Sequence, residues 1–291
     1  MPISRATRIA PAQLAAMAGL FSLTAAFAQS PAPPTGFRLL TPVAARIEDG
    51  PPMGGLRLLP GEVVYFSFTA AGYRRSDTGK VDILGHAQIF DPAGIPVSPK
   101  EEIQLITTLS DEDRNWMPKL RTEIGIPPLV PPGTYTVKFD ATDNQSHQSA
   151  AGETTFDVEA KLVPPSDTLT IRDLNFYRNE EDGQAFLNPA YRAGDMVWVK
   201  FNITGYKLGG QNAIDTAYDV ELLGPDGTSI LKQENASMEK SMAYYPQPYI
   251  PAVFNMTLKS TMTRTVYTLV ITAHDNMGKQ TATARSKFQV N

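Results

Sequence analysis

The chain has 291 residues, is 42% hydrophobic and 19% charged, carries a net charge of −4 and contains no cysteine. This is enough apolar material to bury cores, which excludes wholesale disorder. A weakly acidic chain lacks the basic field that phosphate backbones require, so no nucleic-acid partner is expected.

The N-terminus places Arg5 and Arg8 ahead of an apolar, alanine-rich stretch from Leu14 to Phe27, followed by Ala26-Phe27-Ala28. A positive start, a short apolar core and an A-x-A site predict a secretory signal peptide over residues 1–28. The stretch is too short and too rich in small residues for a comfortable membrane span. Cleavage after Ala28 removes two arginines and no acid, so the net charge moves from −4 to −6. No cysteine follows the site, which excludes a lipid-anchored lipoprotein. Residues 29–36, with Ser30-Pro31-Ala32-Pro33-Pro34, read as an extended proline-rich leader. The expected compartment is periplasmic or extracellular. Disulfides are permitted there but unused, so stability must come from packed cores. The chain closes at Val290-Asn291 straight after its last expected strand, and no transmembrane segment is expected once the signal is cut.

Beyond the leader the sequence is one unit written twice. A shift of 133 residues places Glu48-Asp49-Gly50 on Glu181-Asp182-Gly183, Gly61-Glu62 on Gly194-Asp195, Gly72-Tyr73 on Gly205-Tyr206, and Trp116-Met117-Pro118 on Tyr249-Ile250-Pro251. Near the end of each copy the shift is 132, and Tyr135 through Asn144 meets Tyr267 through Asn276. The expected organisation is a first domain over 37–160, a linker over 161–167 stiffened by Pro164-Pro165, and a second domain over 168–291.

Within each copy the apolar period is two. Val64, Phe66, Phe68 and Ala70 alternate with their neighbours, as do Val197, Val199, Phe201 and Ile203. Tyr135, Val137, Phe139 and Ala141 repeat as Tyr267, Leu269, Ile271 and Ala273. This is the signature of strands with one face inward and one outward. Asp91-Pro92-Ala93-Gly94 and Gly224-Pro225-Asp226-Gly227 carry turn chemistry. No sustained helical period follows residue 30, and about seven short strands per copy are predicted, the number of an immunoglobulin-like sandwich.

Pro131-Pro132-Gly133-Thr134-Tyr135-Thr136-Val137, a Pro-Gly turn opening an alternating strand, resembles the penultimate strand of bacterial immunoglobulin-like and fibronectin type III-like modules. The resemblance implies an all-β chain of two tandem immunoglobulin-like antiparallel β-sandwiches, in which Tyr135 and Tyr267 each close a corner through the hydroxyl. The second copy departs from the pattern, because Thr263-Arg264-Thr265-Val266 lacks the Pro-Gly turn. Such modules serve adhesion, spacing, carbohydrate binding and enzyme support alike.

The chemistry-bearing residues are sparse. Nucleophilic hydrolysis needs a serine or cysteine beside a histidine, and the chain offers three histidines, His86, His147 and His274, with no Gly-x-Ser-x-Gly elbow. No phosphate loop, dinucleotide fingerprint or His-Glu-x-x-His occurs. The expectation is a protein that is not an enzyme.

No cofactor is expected, with calcium as the one candidate. Hard cations need oxygen ligands converging from loops. Glu48 and Asp49 recur as Glu181 and Asp182, and Asp143 recurs as Asp275 at a strand end. Cadherin-like repeats hold calcium at such junctions, but this linker lacks their Asp-x-Asn-Asp-Asn pattern. The alternative for the strand ends is an aspartate accepting local backbone N–H bonds.

The candidate binding residues are aromatic. Tyr244-Tyr245-Pro246-Gln247-Pro248-Tyr249 offers rigid contact area at small entropic cost. Trp116 and Tyr249 share a repeat position and are expected over the sandwich ends, while Tyr244 and Tyr245 have no counterpart. Together these features predict an exported, non-enzymatic binding or structural module presenting loops or a strand edge to a protein or glycan partner at the cell envelope. Alternatives are a carbohydrate-binding accessory using Tyr244, Tyr245 and Trp116, and an inhibitor or chaperone docking proteins on a strand edge.

Overall fold

The computed structural model describes residues 36–40, 42–51, 55–113 and 115–291. The expected signal peptide and all of the proline-rich leader except Gly36 lie outside the described residues. Among the described residues there is no α-helix, only one 3-10 turn at Gly210–Asn212, and no helix is long and apolar enough to cross a membrane.

The fold is all-β and consists of two immunoglobulin-like sandwiches in tandem. In the first, β1 (Arg38–Leu39) and β2 (Val43–Ala45) pair in turn with one edge of β4 (Val63–Ala71), and β7 (Lys119–Gly125) takes the other. The facing sheet runs β3 (Arg57–Leu58), β9 (Gln148–Val158), β8 (Gly133–Asp143), β5 (Lys80–Phe90), β6 (Glu101–Thr108). The second repeats this plan. Its smaller sheet is β10 (Thr170–Tyr177), β12 (Met196–Thr204), β15 (Ile250–Thr257). Its larger sheet is β11 (Ala190–Tyr191), β17 (Gln280–Val290), β16 (Val266–Asp275), β13 (Ile214–Leu223), β14 (Ser229–Ser241). Pairing is antiparallel except for two short parallel ladders, β3 with β9 and β11 with β17. The short strands β1, β2, β3 and β11 raise the strand count above the expected seven per copy.

The period-two pattern builds both interiors. Val64, Phe66, Phe68 and Ala70 point inward from β4 and meet Val137, Phe139 and Ala141 of β8 in one apolar cluster. Val197, Val199, Phe201 and Ile203 of β12 meet Leu269, Ile271 and Ala273 of β16 in the other. The clusters are packed differently at one repeat-related point. Gly85 of β5 leaves room for Phe68 and Leu120; a Cβ there would lie 2.6 Å from Leu120 Cδ2. At the corresponding position β13 carries Tyr218, whose ring meets Phe201 edge-on at 5.0 Å. Opposite Phe201 on β15 stands Ala252, where Leu120 stands opposite Phe68 on β7. A large and a small residue have exchanged sheets, which keeps each interior filled.

Duplicated polar contacts pin the strand ends. Tyr135 donates to the Pro131 carbonyl at 2.8 Å, and Tyr267 donates to the Thr263 carbonyl at 3.0 Å. The missing Pro-Gly turn therefore does not cost the second copy its corner. Gly72 and Gly205 have φ of 68° and 72°, and a Cβ on either would run into the carbonyl of Gly36 or Thr168. This close approach explains the repeated Gly-Tyr pair. The following tyrosines donate to Trp116 O at 2.7 Å and Gln247 O at 2.6 Å.

The exchange between Gly85/Leu120 and Tyr218/Ala252 gives a direct test. Leu120→Ala should cost about 2–5 kcal/mol through a cavity, and Gly85→Tyr about 1–3 kcal/mol through overpacking. The double variant should cost clearly less than the two together in urea denaturation, because the new ring occupies the new cavity. Additive costs would contradict the packing described.

Candidate binding surfaces

The tyrosine- and proline-rich loop between β14 and β15 was expected as an exposed binding edge, and the structure corrects this for Tyr245. Tyr245 is only 5% exposed and belongs to the apolar cluster of the first sandwich. Its phenol donates to Asp91 Oδ2 at 2.8 Å. Asp91 closes the turn after β5, and its other oxygen accepts the N–H groups of Ala93 and Ile95 at 2.9 and 2.8 Å. A phenol with this carboxylate partner can leave water without losing a hydrogen bond. Two neighbouring prolines limit the conformations the loop gives up on docking. Burial first, and the Asp91 bond next, push the Tyr245 phenol well above the usual tyrosine range.

The remaining aromatic candidates part company. Tyr244 is 51% exposed, its hydroxyl 3.4 Å from Gln88 Nε2, and its carbonyl accepts Asn212 Nδ2 at 2.6 Å. Trp116 is 40% exposed on the first sandwich, and Tyr249 is half-buried next to β15. These side chains do not form one continuous aromatic surface with Tyr245, because its ring faces the interior of the neighbouring sandwich.

The six acidic candidates for calcium fall in four places. Buried Asp143 accepts Arg74 N at 2.8 Å, Gln145 N at 3.1 Å and Ser146 Oγ at 2.5 Å. Buried Asp275 accepts Lys207 N at 2.9 Å, Met277 N at 3.0 Å, Gly278 N at 2.9 Å and Gln280 Nε2 at 3.1 Å. These carboxylates serve as acceptors for turn backbones, the alternative the strand-end pattern allowed. Asp182 accepts Gln184 N at 3.0 Å, and Glu181 beside it is exposed. Asp49 holds Lys119 and Arg121, both at 3.1 Å, and those two hydrogen bonds keep its carboxyl below the usual carboxylate range. Glu48 stands next to it, exposed. Among the described residues no three His, Cys, Asp or Glu side chains are grouped to hold a metal.

The Glu48–Asp49 loop matters in another way. It folds beside the outward face of β2, β4 and β7 and walls a groove of about 220 Å³ in the first sandwich. Tyr65 and Ser67 of β4 face into the groove, with Lys119, Arg121 and Glu123 along β7. The sequence marked Glu48 and Asp49 but not Tyr65, whose place on the outward parity of β4 was the available signal. The second sandwich has Trp198 at the position of Tyr65 and Lys200 at that of Ser67. Lys200 reaches over the Tyr177 ring at 4.7 Å and donates to Asp182 O at 2.9 Å, covering the corresponding ground.

Two of the three histidines are held by carboxylates on neighbouring strands. His86 Nδ1 lies 2.9 Å from Asp140 Oδ1, and His274 Nε2 lies 2.8 Å from Asp219 Oδ2. Thr281 Oγ1 is 3.5 Å from the other nitrogen of His274, beyond a good O–H···N bond. That trio sits on the outward face of the larger sheet, where water competes for each group. His147 is exposed in a turn with φ of 57°. Farther along the same sheet, edge strand β14 is exposed along nearly its whole length.

No family model matches the chain, and no curated protein sequence does. Solved structures give slight likenesses. The C-terminal domain of the AgI/II polypeptide BspA of Streptococcus agalactiae is 12% identical, covering 86% of this chain and 100% of that one, with a TM-score of 0.29. The C-terminal domain of the antigen I/II-family protein AspA of Streptococcus pyogenes is 11% identical over 86% and 98%, with a TM-score of 0.28. A family 123 glycoside hydrolase from Clostridium perfringens is 12% identical over 45% of this chain and 29% of its own, with a TM-score of 0.29. Likenesses this slight carry no argument about activity.

Two measurements check the junction. Tyr245→Phe keeps the ring but removes the donor to a carboxylate, and should lower unfolding stability by about 1.5–3 kcal/mol. Tyr244→Ala should stay within about 0.5 kcal/mol of the parent. Burial also raises the phenols of Tyr135, Tyr191 and Tyr206. Their folded values lie above the unfolded value of about 10. The stability they contribute is therefore intact below pH 10 and is lost as pH rises toward the folded values. Tyrosinate absorbance of these groups should appear together with alkaline unfolding rather than before it.

Proposed function

We propose that the chain is an exported, non-enzymatic binding module of the cell envelope, in which two sandwiches are held as one body that presents its surfaces to a protein or glycan partner. The observation that carries this reading is the insertion of Tyr245 into the first sandwich. A loop that would otherwise hang free instead fixes the second sandwich against the first. Fixing the frame removes orientational freedom that a partner would have to overcome on binding. Export rests on Arg5, Arg8, the apolar stretch and Ala26-Phe27-Ala28. The non-enzymatic part is supported by His86 and His274, which are engaged by carboxylates on solvated sheet faces, where catalytic groups lack the low-dielectric setting they exploit. Residues 161–167 are the proposed link between the two domains, spanning the gap from β9 to β10.

Two experiments test the reading. N-terminal sequencing of protein recovered from the envelope and medium should find Gln29 first; an uncut chain retained in the cytoplasm overturns export. The mature chain, immobilised, should retain a protein or polysaccharide from its own envelope fraction, and Tyr245→Ala should weaken retention at least tenfold by freeing the junction. Retention that survives release of the junction overturns the fixed frame as the working element.

A further inference from the structure

We infer that the groove on the outward face of β2, β4 and β7 is a binding site for a neutral sugar ring, with Tyr65 as its platform. The inference rests on the binding-module reading and names a ligand class and a place for it. Four observations converge.

The first is shape. A volume of about 220 Å³ is below the ~300–1,000 Å³ of sites that take a whole drug-sized ligand, and suits one ring of a longer oligosaccharide. The second is the half-buried Tyr65, set on a rigid central strand between Ala45 and Glu123 of its neighbours. An aromatic ring so placed offers apolar area at low entropic cost, matching the C–H face of a pyranose.

The third is charge. Three carboxylates (Glu48, Asp49, Glu123) and two cations (Lys119, Arg121) line the groove, so acceptors and donors stand side by side without a dominant sign. An anion would meet the carboxylate excess, and an added cation would compete with Lys119 and Arg121, which already hold Asp49. An apolar ligand would strip water from these groups and return no hydrogen bonds. A neutral polyol donates to the carboxylates and accepts from the ammonium and guanidinium.

The fourth is the repeat. The second sandwich keeps an aromatic at the platform position, Trp198, but carries Lys200 where the first has Ser67, and that side chain lies over Tyr177 and bonds Asp182 O. The small Ser67 leaves open in one copy what a long side chain covers in the other.

The test is an array of neutral hexose and N-acetylhexosamine oligosaccharides, with sialylated and sulfated series alongside, probed with the mature chain. A neutral member should bind. Tyr65→Ala should reduce its retention at least tenfold, Tyr65→Phe should restore most of it, Arg121→Met should weaken it, and Leu187→Ser on the second sandwich should leave it unchanged. Thermal melts confirm that each variant is folded; if Tyr65→Ala does not fold, the Tyr65→Phe and Arg121→Met pair decides. Binding confined to sialylated or sulfated glycans overturns the inference, as do binding indifferent to Tyr65 and Arg121 and an array with no neutral ligand. If an envelope component is still retained while the array is blank, the groove assignment fails and the binding-module reading stands.

Discussion

The hydrogen bond from the buried Tyr245 phenol to Asp91 ties a loop of the second sandwich into the interior of the first. Each sandwich has its own apolar cluster, and that of the first includes Tyr245 from the second. Tyr245 combines ring burial with a carboxylate acceptor in the same spot. Losing the acceptor would leave a buried donor without a partner, which costs more than the bond itself contributes.

Around that junction the two halves use common devices with different fillings. Gly72 and Gly205 permit the same close approach, Tyr135 and Tyr267 close the same corner, and Asp143 and Asp275 collect the N–H groups of the same turns. Backbone geometry leaves little choice at those points, and the two halves share them. Interior volume leaves more choice, provided the total is kept. The exchange of Gly85 and Leu120 for Tyr218 and Ala252 is one such solution.

The outward faces are freer still, and there the copies differ in the side chains they present. In the first, Ser67 and the ion-paired Asp49 loop leave Tyr65 accessible in a groove. In the second, Lys200 spans from Tyr177 to the Asp182 carbonyl. The faces also differ on the neighbouring strand, where Lys119, Arg121 and Glu123 of the first sandwich stand at the places of Pro251, Val253 and Asn255 in the second. The edge strand β14 adds an exposed surface far longer than its counterpart β6.

The amino-acid sequence alone determined the all-β class and the inward face of each long strand, because side-chain alternation is a local property that needs no knowledge of neighbours. The resemblance around Tyr135 and Tyr267 implied that each would close a corner, and the structure adds the acceptors, carbonyls four residues back. Only the tertiary structure decided the fate of Tyr245, whose acceptor Asp91 is 154 residues away and in the other copy. The same holds for Asp49, which pairs with Lys119 and Arg121 some 70 residues on, and so for the groove it walls. Exposed loop and interdomain anchor have the same composition; which one an aromatic pair becomes is set by where the chain brings the matching carboxylate.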